Sequence, residues 1–101
     1  MFIVRLTYIK PLEEVDQFLL AHREFLDYYY KQGFFIMSGP LKPRTGGIII
    51  ADTQDRAYLE KILNQDPFTL AGVATYEFLE FIPIKYCKEL KALLEKTEGA
   101  L

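Results

Sequence analysis

The stretch LEEVDQFLLAHREFLDYYYKQG, residues 12–33, holds the chain's single histidine in an unusual place. Val15, Phe18, Leu19, His22, Phe25, Leu26 and Tyr29 recur at steps of three and four, the spacing of one apolar stripe on an α-helix. Glu13, Asp16, Arg23, Glu24, Asp27 and Lys31 fall on the other, solvated side. Pro11 suits the first helical turn, the early acids complement the helix dipole, and Gly33 is a left-handed stop. The helix therefore turns an imidazole towards whatever it covers. Two readings follow for His22: a core histidine with its hydrogen bonds satisfied, or a general base at the edge of a pocket.

Working outward, Phe2–Ile9 reads as a strand that ends at Lys10-Pro11. Phe2, Val4, Leu6 and Tyr8 share one side, and both sides are largely apolar, as in a strand covered on both faces. Phe34–Ser38 is a second strand, stopped by Gly39-Pro40 at an edge, bulge or bend. Leu41–Gly47 forms a hairpin connection to a third strand, Ile48–Ala51. Asp52-Thr53 offers the cap of a shorter helix with Ala57, Tyr58, Leu59, Ile62 and Leu63 inward. One further turn over Pro67–Ala71 is closed by Gly72, the fourth strand runs Val73–Ile82, and a terminal helix spans Tyr86–Thr97 with Leu90, Leu93 and Leu94 inward. Glu98–Leu101 is expected to fray. Tyr28-Tyr29-Tyr30 exceeds what one helix face buries, so one or two of these rings are expected at an interface or pocket wall.

The order strand, helix, strand, strand, helix, strand makes two right-handed strand–helix–strand units in one antiparallel sheet. This is an α+β, ferredoxin-like βαββαβ arrangement in a single domain, with a core over residues 2–83 and an added C-terminal helix over 86–97. The helices cover one sheet face, and a second copy of the sheet is the simplest cover for the other.

Composition limits the function classes. The 101 residues are 50% hydrophobic and carry a net charge of −2, so a basic footprint for nucleic acid is missing. One histidine and one cysteine exclude an internal disulfide and the usual zinc sets from one chain. No apolar run approaches membrane-spanning length, and the start lacks the pattern of a secretory signal, so a cytoplasmic protein is expected.

Several polar residues each have a structural and a chemical reading. Asp66, in Asn64-Gln-Asp-Pro-Phe68, is a helix cap or the carboxylate that orients an imidazole, and one carboxylate can do both. Ser38-Gly39-Pro40 terminates a strand, or places a hydroxyl and a close-approach site beside a substrate oxygen. Arg44 is a solvated loop residue or a clamp for a small acid. Arg5 reads as structural, with Glu77 or Glu80 as its partner, and Cys87 as a small apolar residue near a helix start.

Together, His22 in Ala-His-Arg-Glu-Phe, then Ser38-Gly39-Pro40, Pro43-Arg44-Thr-Gly-Gly47, Asp66-Pro67-Phe68, Ala71-Gly72, Tyr76 and Glu80-Phe81 form a familiar series. In this order the chain resembles the YCII-related (YciI-like) family from Phe2 to about Pro83. The resemblance implies a ferredoxin-like subunit paired sheet to sheet as a dimeric α/β barrel. It also implies an active-site histidine–aspartate pair, matched here by His22 and Asp66, with Ser38 and Gly39 at the adjacent strand end and Arg44 in the glycine-rich hairpin. One branch of the family is similar to a dehydrochlorinase acting on a chlorinated hydroxyquinol, and the fold resembles muconolactone isomerase.

The expected function is proton abstraction or elimination, lyase- or isomerase-like, on a small cyclic or aromatic-derived acid. His22 is the expected base and Asp66 its orienting partner; Ser38 and the Gly39 backbone bind the oxyanion, Arg44 and Phe68 contact substrate, and Phe18, Tyr29, Phe68 and Tyr76 form apolar walls. An ordinary imidazole pKa of about 6.5 suits that work near neutrality. No metal or organic cofactor is expected. The expected partners are a small molecule and a second copy or larger homo-oligomer, with no nucleic acid or membrane. Two rival readings stand beside it: a non-catalytic dimer that binds a small ligand or serves as an interaction module, and a cofactor-free monooxygenase on the same barrel.

Overall fold

The computed structural model describes residues 1–99. Its sheet has four strands, β1 (Phe2–Tyr8), β2 (Phe35–Pro40), β3 (Gly46–Ala51) and β4 (Ala74–Glu80), in the spatial order β2-β3-β1-β4. All three pairings are antiparallel, which is the ferredoxin-like arrangement expected of two strand–helix–strand units. Between β1 and β2 lie α1 (Leu12–Asp16) and α2 (Leu19–Lys31); between β3 and β4 lie α3 (Arg56–Leu63) and α4 (Pro67–Leu70).

The period-two pattern of β1 sends Phe2, Val4 and Leu6 to the helix side, where all three are buried. Phe2 and Val4 join Leu26 of α2, Ile49 and Ala51 of β3, and Leu59, Ile62 and Leu63 of α3 in the main core. Leu6, Val15, Phe68, Val73 and Ala74 form a second cluster at the other end of the sheet. The candidate site lies at this second end.

The helix expected over residues 12–33 is two helices. Gln17 and Phe18 donate to Glu14 and Val15, three residues back, at 3.3 and 3.0 Å, and this tightened turn closes α1. Phe18 leaves helical geometry at φ −109°, ψ 5°, and its carbonyl then accepts from His22 N–H as α2 starts. Val15 thereby enters the second cluster, while Leu26 enters the main core.

Three further expectations are corrected. The cap of α3 is Asp55, which accepts from Tyr58 N–H at 3.0 Å; Thr53 instead accepts from Asp55 N–H at 3.1 Å, shaping the entry turn. Ala57 and Tyr58 are exposed, and the inner face of α3 is Leu59, Ile62 and Leu63. The terminal segment is a 3₁₀ turn at Lys88–Leu90 followed by α5 (Lys91–Gly99), with Leu93 exposed and Leu90 and Leu94 half-buried. The helix backbone thus continues through the expected frayed residues 98 and 99, while 100 and 101 lie outside the described residues.

The strand bounds differ by a residue or two from those expected, and the differences have a local cause. β2 is the sheet edge and extends through Gly39-Pro40, since a proline there breaks no ladder. Its register steps from Phe35↔Ala51 to Met37↔Ile50, which leaves Ile36 as an extra residue. β3 begins at Gly46 because two backbones meet there: an ideal Cβ on Gly46 would lie 1.8 Å from the Leu6 carbonyl oxygen. That position admits no side chain without moving β1.

The sheet face away from the helices is open. Met37, Ile50, Ile3 and Leu79 align in register across all four strands, and the two end members are well exposed. Arg5 is exposed on the same face, directly opposite Glu77.

Candidate active site

Asp66 closes the turn after α3 and caps α4, a four-residue helix with Pro67 in its first turn. Its Oδ1 accepts from Phe68 N–H at 2.9 Å, so the cap reading holds. The carboxylate is nevertheless fully buried, and the cap alone leaves most of its acceptor capacity unused. The rest is taken up from two other elements. His22 Nδ1 lies 2.9 Å from both carboxylate oxygens, across 44 residues of sequence. The Tyr76 hydroxyl, from β4, donates to Oδ2. Among the described residues no buried side-chain nitrogen or oxygen is left without a partner.

Tyr76 was expected as an apolar wall; it is a donor. Burial, followed by the adjacent Asp66 charge, pushes its hydroxyl well above the usual tyrosine range, so the proton stays on Tyr76. The period-two alternation of β4 turns Tyr76 inward, but only the folded chain shows which polar group it meets.

Two contacts set the imidazole's plane and tautomer. The His22 ring stacks on Phe68 with centroids 4.0 Å apart and planes 7° apart. Because the neighbouring carboxylate only accepts, the network assigns the proton to Nδ1. Nε2 then carries the lone pair. It has no protein partner, and since no buried nitrogen is orphaned among the described residues, Nε2 is accessible. The short helix α4 therefore acts twice on one ring: Asp66 holds its Nδ1 edge, and Phe68 supports its face.

His22 opens onto a cleft of about 450 Å³ between α2 and the β2–β3–β1 part of the sheet. Phe68, Ser38, Gly39 and Arg44 all border it, so folding brings every expected site residue except the buried Asp66 to the lining of one cleft. Ser38 Oγ pairs with the Tyr30 hydroxyl at 2.6 Å. Phe18 and Tyr29 do not line the cleft. Phe18 packs on the second cluster, and Tyr29 packs on the main core among Phe25, Phe34 and Phe35. Tyr28, the most exposed of the three tyrosines, is also outside the cleft.

Two polar lining residues, Tyr8 and Arg23, escape the sequence reading. Tyr8 stands edge-on to Phe68 at 6.0 Å and has the Arg44 guanidinium 5.5 Å above its ring. Arg23, placed on the solvated side by helical spacing, borders the cleft beside His22. Arg44 Nη2 donates to Asp16 Oδ1 at 2.5 Å. That bond lowers the Asp16 pKa and holds the Arg44 charge more firmly than usual. Cys87 is exposed, outside the cleft.

Among the described residues no group of three His, Cys, Asp or Glu side chains converges as a metal site would require. No helix among them is long and apolar enough to cross a membrane.

No curated protein matches the chain. Among solved structures, the chain is similar to 5-chloro-2-hydroxyhydroquinone dehydrochlorinase from Burkholderia phenoliruptrix, in complex with 2,5-dihydroxybenzoquinone. The TM-score is 0.67 at 20% identity, covering 88% of this chain and 98% of the other, a likeness of fold. The model of the YCII-related domain matches residues 1–82, all four strands and the helices that carry the cleft, and the chain belongs to that family.

Proposed function

We propose that this protein is a small-molecule enzyme in which His22 removes a proton from a carbon next to a carbonyl, on a small cyclic or aromatic-derived acid. The observation that carries this reading is a buried carboxylate on Nδ1 of an imidazole whose Nε2 is left accessible at a cleft. Asp66 fixes the tautomer before reaction and stabilises the imidazolium that forms as Nε2 takes the proton. The carbon–hydrogen electron pair moves into the carbonyl to give an enolate. The Ser38 hydroxyl and Gly39 backbone, at the same rim, are the groups proposed to hold that oxygen. Return of the proton to a different carbon gives isomerisation. Where the neighbouring carbon carries a halide, collapse of the enolate expels it, and the net change is loss of HX. The dehydrochlorinase whose fold this chain shares supports the elimination branch.

We further propose that two copies pair through their open sheet faces. The apolar row Met37–Ile50–Ile3–Leu79 supports this, because a contiguous apolar strip is costly to leave in water. Leu79→Glu would place a carboxylate in that strip, so the protein should sediment as a monomer with unchanged far-UV circular dichroism. A wild-type monomer, or an unaltered L79E dimer, contradicts the pairing.

The chemistry is tested with 5-chloro-2-hydroxyhydroquinone as the probe, whose diketo tautomer carries a C–H beside a carbonyl and chloride on the next carbon, and with chloride release as the signal. His22→Gln should lower the rate by about 10²–10⁴-fold while sedimentation and circular dichroism are retained. Asp66→Asn should also lower it. A wild-type protein that releases no chloride and exchanges no carbon-bound proton of cyclic keto acids with solvent, but that loses stability with His22→Gln, would make the pair structural.

Tyr76 adds a pH signature. Its pKa is raised on folding above the ordinary value of 10.0, so its stabilising contribution is complete below that pH. At higher pH the unfolded chain releases the proton first, and stability falls. Tyr76→Phe should cost about 1–2 kcal/mol at neutral pH and flatten the fall above pH 10, measured by denaturant titration. An unchanged slope would show that this hydroxyl does not hold its proton for Asp66.

A further inference from the structure

The chain carries more acids than bases, 14 to 12, yet the cleft inverts that balance. Its only formally charged lining side chains are Arg23 and Arg44, and no carboxylate borders it. One acid, Asp16, reaches this rim from outside, at the end of α1. It engages Arg44 through a single nitrogen at 2.5 Å, which is not the bidentate pairing an arginine can give a carboxylate. Its carboxyl pKa is lowered chiefly by Arg44 and least by the charge of Arg23, which borders the same cleft. The pair is partly exposed, with side-chain accessibilities of 31% for Arg44 and 48% for Asp16, so an incoming solute can reach it. Tyr8 lies beneath the Arg44 guanidinium and against Phe68, giving an aromatic surface from the arginine to the His22 ring.

We propose that Arg23 and Arg44 select an anionic ring compound, holding its carboxylate at the rim, and that Asp16 occupies that place until the ligand displaces it. This rests on the reading of the cleft as a substrate site and names what that site selects. The two arginines that line the cleft and the one carboxylate at its rim carry one positive charge in excess, which an arriving anion neutralises. Displacement exchanges one carboxylate on Arg44 for another, so the net gain comes from Arg23 and from the ring packing on Tyr8 and Phe68. Asp16 keeps Arg44 paired when the site is empty, and an uncharged ring, which cannot replace it, packs on Tyr8 and Phe68 without gaining the arginines.

The test uses benzoate and its neutral isostere benzamide, titrated by NMR into the wild-type protein, Arg23→Gln, Arg44→Gln, Asp16→Asn and His22→Gln. Benzoate should bind about tenfold more tightly than benzamide, with the advantage shrinking as salt rises. Either arginine variant should reduce benzoate binding to the benzamide level. Asp16→Asn should tighten benzoate several-fold without effect on benzamide. Equal binding of the two probes, or weaker benzoate binding to D16N, overturns the proposal. Failure here is separable from failure of the base chemistry: H22Q should keep the preference for benzoate over benzamide while its chloride release falls by about 10²–10⁴-fold. Chloride release by the wild type without anion selectivity would leave His22 as the base and remove the role of the arginines.

Discussion

A fully buried carboxylate is the constraint on which the rest of this structure depends. Removing Asp66 from water costs several kcal/mol unless its oxygens find donors, and no single element can supply them all. Three elements do so: α4 gives the Phe68 amide, α2 gives His22 Nδ1–H, and β4 gives the Tyr76 hydroxyl. The same bonds that satisfy the acid therefore tie both helical crossovers to the sheet. Withdrawing one donor from a buried charged acceptor costs about 1–3 kcal/mol, which makes the arrangement rigid as well as stable. Such rigidity suits the base proposed for His22, because the imidazole would accept a proton without first being turned or re-paired.

The position of the cleft follows from how the sheet ends. Gly46 lets β3 approach the Leu6 backbone where no side chain would fit, and β2 runs to its Gly39-Pro40 end as an edge strand. The intervening loop brings Arg44 over Tyr8 and onto Asp16 of α1. An opening forms between that loop and α2, with an apolar floor, one imidazole and a cationic rim. The break between α1 and α2 belongs to the same design: α1 places Val15 in the second cluster and ends on Asp16, while α2 restarts to place His22 and Leu26.

Much of the fold was legible in the sequence because local rules and tertiary packing agree. Alternation in β1, the Gly33 stop and the Asp66-Pro67 turn are all present as read. The helix break was hidden, since Gln17 and Phe18 include neither glycine nor proline and the apolar spacing runs across them. The cap of α3 was misplaced because Asp52, Thr53 and Asp55 are all capping types within four positions, and hydrogen bonds decide among them. At the site, spacing shows that His22 faces inward, but its partner 44 residues away entered through family resemblance. Arg23 illustrates a further limit: a long side chain next to an inward residue can reach a cleft rim that a helical projection assigns to solvent.

The central claim is that Asp66 holds the proton on Nδ1 of His22 and leaves Nε2 as an accessible base. Because the chain has one histidine, long-range proton–nitrogen NMR correlation of uniformly labelled protein reads that ring without ambiguity. In the neutral ring, a protonated Nδ1 and an unprotonated, pyridine-like Nε2 are expected. A proton on Nε2 with Nδ1 unprotonated would contradict this, because the lone pair would then point into the core and away from the cleft.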